Sequence, residues 1–226
     1  MRSGASSKCT RRRFLGYLPL AGIGLAAADA FALEPRWLRL TDLDFSEYGA
    51  GRTFIHFSDL HYKGNEAYAD RIVETINGLT PDFVVFTGDL VESRSFEFLD
   101  AALALVASID APVYGVWGNH DPRHNGALGL YRRSFEATGG RFLVNERVDL
   151  GPLAIHGVDG INVFLNEEGK PKILLCHYPA VGHIRMDSEY QLALCGHSHG
   201  GQVRVPFYGA LVTPYVVGPQ LLAQML

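Results

Sequence analysis

Cysteine is nearly absent from this 226-residue chain: there are three, and only Cys176 and Cys195 lie beyond residue 9. Two thiols make no disulfide framework, so the fold has to be held by buried apolar surface. Each of the two ends an apolar run and reads as a small buried filler, with a single bridge between them left open in an oxidising compartment. An excess of positive charge is also missing, since 20 Lys and Arg face 24 Asp and Glu for a net charge of −4. Without a basic face the chain is a poor binder of nucleic acid. Membrane-length apolar runs are absent outside the N-terminus, and there is no internal repeat or low-complexity linker. What the chain has is apolar residues, 47% of the total, enough at this length for one substantial core.

The N-terminus has the order of a targeting segment. Thr10-Arg11-Arg12-Arg13-Phe14-Leu15 resembles the twin-arginine export signature, a moderately apolar run extends from Leu15 to Ala28, and Ala30-Phe31-Ala32 offers small residues for cleavage. The expectation is a signal over residues 1–32, a mature start near Leu33, and an exported protein of the periplasm or cell envelope that engages the twin-arginine machinery. If the segment is not cleaved, it contacts and anchors to the membrane. Removing residues 1–32 changes the balance from 20 against 24 to 15 against 23, a net charge of −8. So acidic a protein needs a local source of positive charge to bind phosphate.

Residues 33–50 read as a lead-in, with Trp37, Leu38 and Leu40 packing on the domain edge, and residues 51–226 as the domain. Apolar runs at Thr53–Ser58, Phe83–Thr87 and Pro112–Trp117 predict strands. Helical spacing at Tyr68–Leu79 and Phe96–Ala107 predicts helices between them, with Pro81 stopping the first. The order β-α-β-α-β indicates a parallel sheet. After a third helix at Leu128–Thr138, ended by Gly139-Gly140, the chain turns β-rich. Arg141–Val148 and Leu153–Val158 read as strands joined by the Asp149-Leu150-Gly151-Pro152 hairpin, and Glu167–Pro171 as a turn before the next strand. The predicted architecture is two packed mixed sheets with helices outside.

Five apolar runs stop at a residue able to bind metal. They lead into Asp59-Leu60-His61, Gly88-Asp89, Gly118-Asn119-His120-Asp121, His177, and Gly196-His197-Ser198-His199. Ligands of α/β sheets sit beyond the carboxyl ends of the strands, so these loop starts can converge on one site. His56 and His156 fall inside strands and read as core or sheet residues, whereas His124 and His183 fall in loops.

In this order, the five motifs resemble the calcineurin-like metallophosphoesterases over about residues 50 to 218. The resemblance implies an αββα sandwich and two divalent metal ions. Asp59, His61, Asp89 and His199 would hold the first ion, and Asp89, Asn119, His177 and His197 the second, with Asp89 bridging. The activity implied is hydrolysis of a phosphate ester by attack of a metal-bound hydroxide at the dinuclear centre. His120 would act on the phosphate or its leaving group, and Asp121 is either its orienting partner or a cap of the turn. Two ions outweigh the charge of the carboxylates Asp59 and Asp89, which supplies the positive site an acidic protein needs. A shell of nitrogen and oxygen suits manganese, iron or zinc.

Gly196-His197-Ser198-His199-Gly200-Gly201-Gln202-Val203-Arg204-Val205-Pro206, with Thr87-Gly88-Asp89-Leu90 after Pro81-Asp82, looks like one bacterial branch of that family. The branch contains exported phosphoesterases with twin-arginine signals and enzymes that split UDP-2,3-diacylglucosamine. For an exported enzyme the expected substrates are small phosphate esters or lipid and envelope phosphates. A UDP-2,3-diacylglucosamine-type pyrophosphate ranks second because UDP-sugars are cytosolic. A non-catalytic binding scaffold on the same fold is the alternative of another class, opposed by the completeness of the seven ligand positions. Branch members continue for a few strands past the segment matching Tyr215–Gly218, so the expectation is either that the last strands are absent or that the sequence is a fragment.

Overall fold

A computed structural model describes residues 38, 40–45, 51–123, 126–159, 170–180 and 190–199, with the strand backbone of 204–205, 209–210 and 222–223. The expected export segment, most of the lead-in, the turn at 167–169, His124, His183 and the stretch 215–218 lie outside these residues. The chain divides into two compact units, Met1–Leu38 and Arg39–Leu226, and every described strand and helix belongs to the second.

A four-stranded sheet is built from β1 (Phe54–Phe57), β2 (Phe83–Phe86), β3 (Val113–Gly115) and β4 (Arg141–Phe142), in that spatial order. Every pairing in it is parallel, so among the described strands the mixed pairing that the sequence predicts is confined to the other sheet. The helices α1 (Glu66–Leu79) and α2 (Leu99–Ala107) supply the crossovers a parallel sheet requires. α1 starts two residues before the apolar spacing begins because Asn65 caps it, its side chain accepting from the Tyr68 amide at 3.3 Å. It stops at Thr80, which turns left-handed with φ 46°, just ahead of Pro81. A short 3₁₀ turn, Phe96–Phe98, precedes α2, and α3 spans Ala127–Ala137.

The second sheet has the order β11-β8-β7-β6-β5, with β5 at Glu146–Asp149, β6 at Ala154–Val158, β7 at Lys172–Cys176, β8 at Leu192–Cys195 and β11 at Leu222–Ala223. β9 (Arg204–Val205) and β10 (Gly209–Ala210) pair with each other. The second sheet is mixed, its antiparallel pair being the β5–β6 hairpin. Gly151 makes that turn with φ 86°, its amide held by the Asp149 carboxylate at 2.8 Å.

Arg141–Val148 is not one strand. Asn145 adopts a left-handed conformation with φ 55° and accepts the Asp159 amide at 2.9 Å. The chain therefore leaves the first sheet after β4 and enters the second at β5. Strand alternation then sorts the core into layers. Ile55, Val84, Phe86 and Phe142 pack under the helix residues Ile76, Leu103, Tyr131 and Phe135. Val85, Tyr114 and Leu143 meet Ile155, Leu175 and Leu194 between the sheets. Leu174, Cys176, Ala193 and Cys195 form a cluster on the far face of the second sheet. The helices α1, α2 and α3 all cover the first sheet. Leu40, expected to pack on the domain edge, is 49% exposed, while Phe45 packs on the core between the sheets. His56 and His156 are buried, and the two buried cysteines are unbridged.

Candidate metal centre

The loops after β1 and β2 continue side by side beyond the sheet. Asp59 N–H donates to Gly88 O at 3.0 Å, His61 N–H to Asp89 O at 3.0 Å and Tyr62 N–H to Leu90 O at 2.9 Å. Within this ladder the backbone is forced out of its ordinary range. Non-glycine residues with positive φ are uncommon, and the described residues include seven: Asp59, His61, Thr80, Asp89, Asn145, His197 and His199. Five of those seven are expected metal ligands. Such conformations cost about 1–3 kcal/mol each, so the fold stores strain where these side chains turn inward. Close approach does the rest. A Cβ on Gly118 would lie 2.0 Å from Asp89 Oδ1, and one on Gly88 would lie 2.4 Å from Gly118 N.

All seven side chains expected to bind metal meet at this end of the two sheets. In the first group His61 Nε2 lies 3.2 Å from His199 Nε2, 3.5 Å from Asp89 Oδ2 and 4.0 Å from Asp59 Oδ1. His199 Nε2 is 3.6 Å from Asp59 Oδ1. In the second, Asn119 Oδ1 is 2.8 Å from both His177 Nε2 and His197 Nδ1, which are 3.2 Å from each other. His177 Nε2 is 3.3 Å from Asp89 Oδ2. The two groups share that one oxygen. Asp89 itself is 1% exposed and is pinned by the His120 amide on Oδ1 at 2.7 Å.

This donor set fits divalent cations. His177 gives its Nδ1 proton to the Thr87 carbonyl at 2.8 Å, which leaves a lone pair on Nε2. Neighbouring ligand atoms on a four-coordinate ion with bonds near 2.1 Å stand roughly 3.4 Å apart, and the observed separations bracket that value. Burial pulls the His61 and His197 imidazoles below their ordinary value, which favours the neutral form that binds metal. Burial alone would raise the Asp89 carboxyl, but bonding to His177 and His120 holds it below the usual range. Burial likewise opposes charge on His177, and Asp89 and Thr87 overcome it to move that group up.

His120 does not pair with Asp121. Its Nδ1 lies 2.7 Å from both Glu92 Oε1 and Ser93 Oγ. Glu92 Oε2 faces His61 Nδ1 at 3.5 Å and Lys63 Nζ at 3.4 Å. Burial disfavours the Glu92 charge, yet the bonds from His120 and the Ser93 amide hold its pKa down at about 2. Asp121 is instead a buried clamp. It accepts from the Asp89 and Gly118 amides at 2.9 and 2.8 Å, from the Leu90 amide at 2.8 Å and from Tyr131 Oη–H at 2.7 Å. Four donors use the capacity of a carboxylate, so of the two readings of Asp121 the geometry supports the structural one. Sequence reasoning missed Glu92. Its one signal is a carboxylate three residues past Asp89, in a stretch otherwise read as loop.

The model of the calcineurin-like phosphoesterases matches residues 52–201, two thirds of the chain and every one of these side chains. The chain is a calcineurin-like phosphoesterase. Members of this family are hydrolases of phosphate esters and depend on divalent metal. This phosphoesterase is 29% identical to the uncharacterized metallophosphoesterase YkuE of Bacillus subtilis, over 92% of this chain and 82% of that protein. It is 27% identical to phosphodiesterase YaeI of Escherichia coli, over 92% of this chain and 86% of that one. To the UDP-2,3-diacylglucosamine pyrophosphatase LpxG of Chlamydia muridarum it is 23% identical, over 77% and 73%.

Proposed function

We propose that this phosphoesterase hydrolyses phosphate esters at a centre of two divalent ions, with Asp59, His61, Asp89 and His199 holding one and Asp89, Asn119, His177 and His197 the other. The observation that carries this reading is the shared Asp89 Oδ2, which lies within 3.5 Å of a histidine nitrogen from each group. Bound ions of this kind neutralise phosphoryl oxygens and acidify water at neutral pH. The protein's own groups divide the remaining work. His120 stands beside the centre, its ring centroid 4.8 Å from that of His61, placed to pass a proton to the leaving oxygen. Glu92 accepts a hydrogen bond from His120 Nδ1–H, which leaves the opposite nitrogen to serve the substrate. Asp121 ties the loops of β2 and β3 together so that Asp89 and Asn119 keep their places.

The substrate class rests on compartment and kinship. Arg11-Arg12 ahead of a weakly apolar run supports export, where phosphodiesters and lipid or envelope phosphates are the available esters. The phosphodiesterase and UDP-2,3-diacylglucosamine pyrophosphatase relatives set the panel. The test is turnover of a nitrophenyl phosphate monoester, the matching diester, a phospholipid and UDP-2,3-diacylglucosamine, with Mn²⁺, Fe²⁺ or Zn²⁺ added. Metal-dependent hydrolysis of a diester or lipid phosphate is expected. Absence of turnover on all four with every metal would overturn the reading. Replacing Arg11 and Arg12 with Lys should leave the precursor in the cytoplasm, and unchanged export would overturn the compartment.

A further inference from the structure

The two proposed ligand groups differ in what holds them. Three members of the first (Asp59, His61 and Asp89) stand on loops of the first sheet that are laced together by backbone hydrogen bonds. The second group is split across the sandwich. Asp89 and Asn119 come from the first sheet, His177 and His197 from the second, and Asn119 Oδ1 has to meet both histidines within 2.8 Å. Something must keep the Asn119 turn in register with the opposite sheet.

Arg123 spans that gap. Its Nη2 donates to the Gly118 carbonyl at 3.2 Å, an atom of the very peptide that joins Gly118 to Asn119. Its Nη1 donates to both oxygens of Asp159, at 2.9 and 3.1 Å. Asp159 comes directly after β6 of the second sheet, and its own amide is held by Asn145 at the point where the chain changes sheets. The guanidinium also lies over Trp117, 5.9 Å from the ring centroid. We infer that Arg123 is a positioning residue that sets Asn119 against His177 and His197, with Asp159 as its anchor in the second sheet. The inference rests on the proposed assignment of those residues to a metal ion. A planar fork of fixed geometry does this, whereas the point charge of a lysine cannot make both sets of bonds.

The Arg123 and Asp159 side chains are 46% and 23% exposed, and ion pairs of that exposure add little to stability. Groups that orient metal ligands, in contrast, typically change metal affinity by about 10- to 100-fold when removed. The two roles therefore separate in a Mn²⁺ titration of the full chain, followed by calorimetry and by the spin signal of free Mn²⁺. Arg123→Ala and Asp159→Asn should each weaken one of two equivalents by about 10- to 100-fold, leave the other unchanged and keep the wild-type urea midpoint. Arg123→Lys should be weakened in the same way. Arg52→Ala, which breaks the comparably exposed Arg52–Asp82 pair (43% and 34%), should leave both equivalents as they are. Unchanged affinity in Arg123→Ala and Arg123→Lys would overturn the inference. Equal weakening of both equivalents would overturn it too, by showing a general loosening. A wild-type chain that binds no Mn²⁺ would bring down the metal assignment itself, and the inference with it.

Discussion

His120 and Asp121 are neighbours in sequence with opposite fates. His120 faces the centre with Glu92 behind it, while Asp121 points back into the protein and gathers four donors. His120→Ala should therefore keep fold and bound metal and lose about 10² to 10⁴ in turnover. The loss should shrink on nitrophenyl esters, whose leaving group departs without a proton. Kinetics on good and poor leaving groups, beside metal analysis, checks this, and loss of a metal equivalent would make His120 a ligand. Asp121→Asn should act first on stability. It turns an NH₂ group toward backbone N–H donors, leaving buried donors unsatisfied at a cost of about 2–3 kcal/mol, read as a fall in urea stability. Sequence alone left the two roles of Asp121 level, because only the fold shows that the Tyr131 hydroxyl and three amides arrive at the same carboxylate.

At the scale of elements, the strand ends were the legible part. An apolar run that stops at a ligand-type residue is visible in any one sequence: β7 and β8 end where their runs predict, β1 and β2 stop one residue short and β3 two. What stayed hidden was set by tertiary contact. The division of Arg141–Val148 between two sheets depends on the left-handed Asn145 and its bond to the Asp159 amide, and neither leaves a mark in the alternation of residues. Helix α3 likewise matters for a reason its apolar spacing does not reveal. Tyr131, fully buried against Trp117 and Phe142 with ring centroids 4.7 and 4.8 Å away, carries its hydroxyl to Asp121. Tyr131→Phe keeps the packing and removes one charge-assisted hydrogen bond, so it should cost about 1.5–3 kcal/mol. Equilibrium unfolding in urea gives that number, and a neutral result would show that the clamp holds without the helix.

Across the whole molecule, buried histidines away from the centre make stability depend on pH. Burial lowers the pKa of His56 to about 4, whereas in the unfolded chain it titrates near its ordinary 6.5. The unfolded state takes the proton first. His56 therefore costs nothing above pH 6.5, and stability falls as pH drops from there to about 4. The fall due to this residue between pH 7 and 5 should be roughly 2 kcal/mol, and His56→Gln should lack it, as paired urea titrations at the two pH values would show. The central claim is that two sheets bring seven side chains around one shared carboxylate to hold two ions. It is tested most directly by metal analysis of Mn²⁺-loaded wild-type protein beside Asp89→Asn. Two equivalents are expected in the wild type, with a greater loss in Asp89→Asn than in Asn119→Ala. Two full equivalents retained by Asp89→Asn would contradict it.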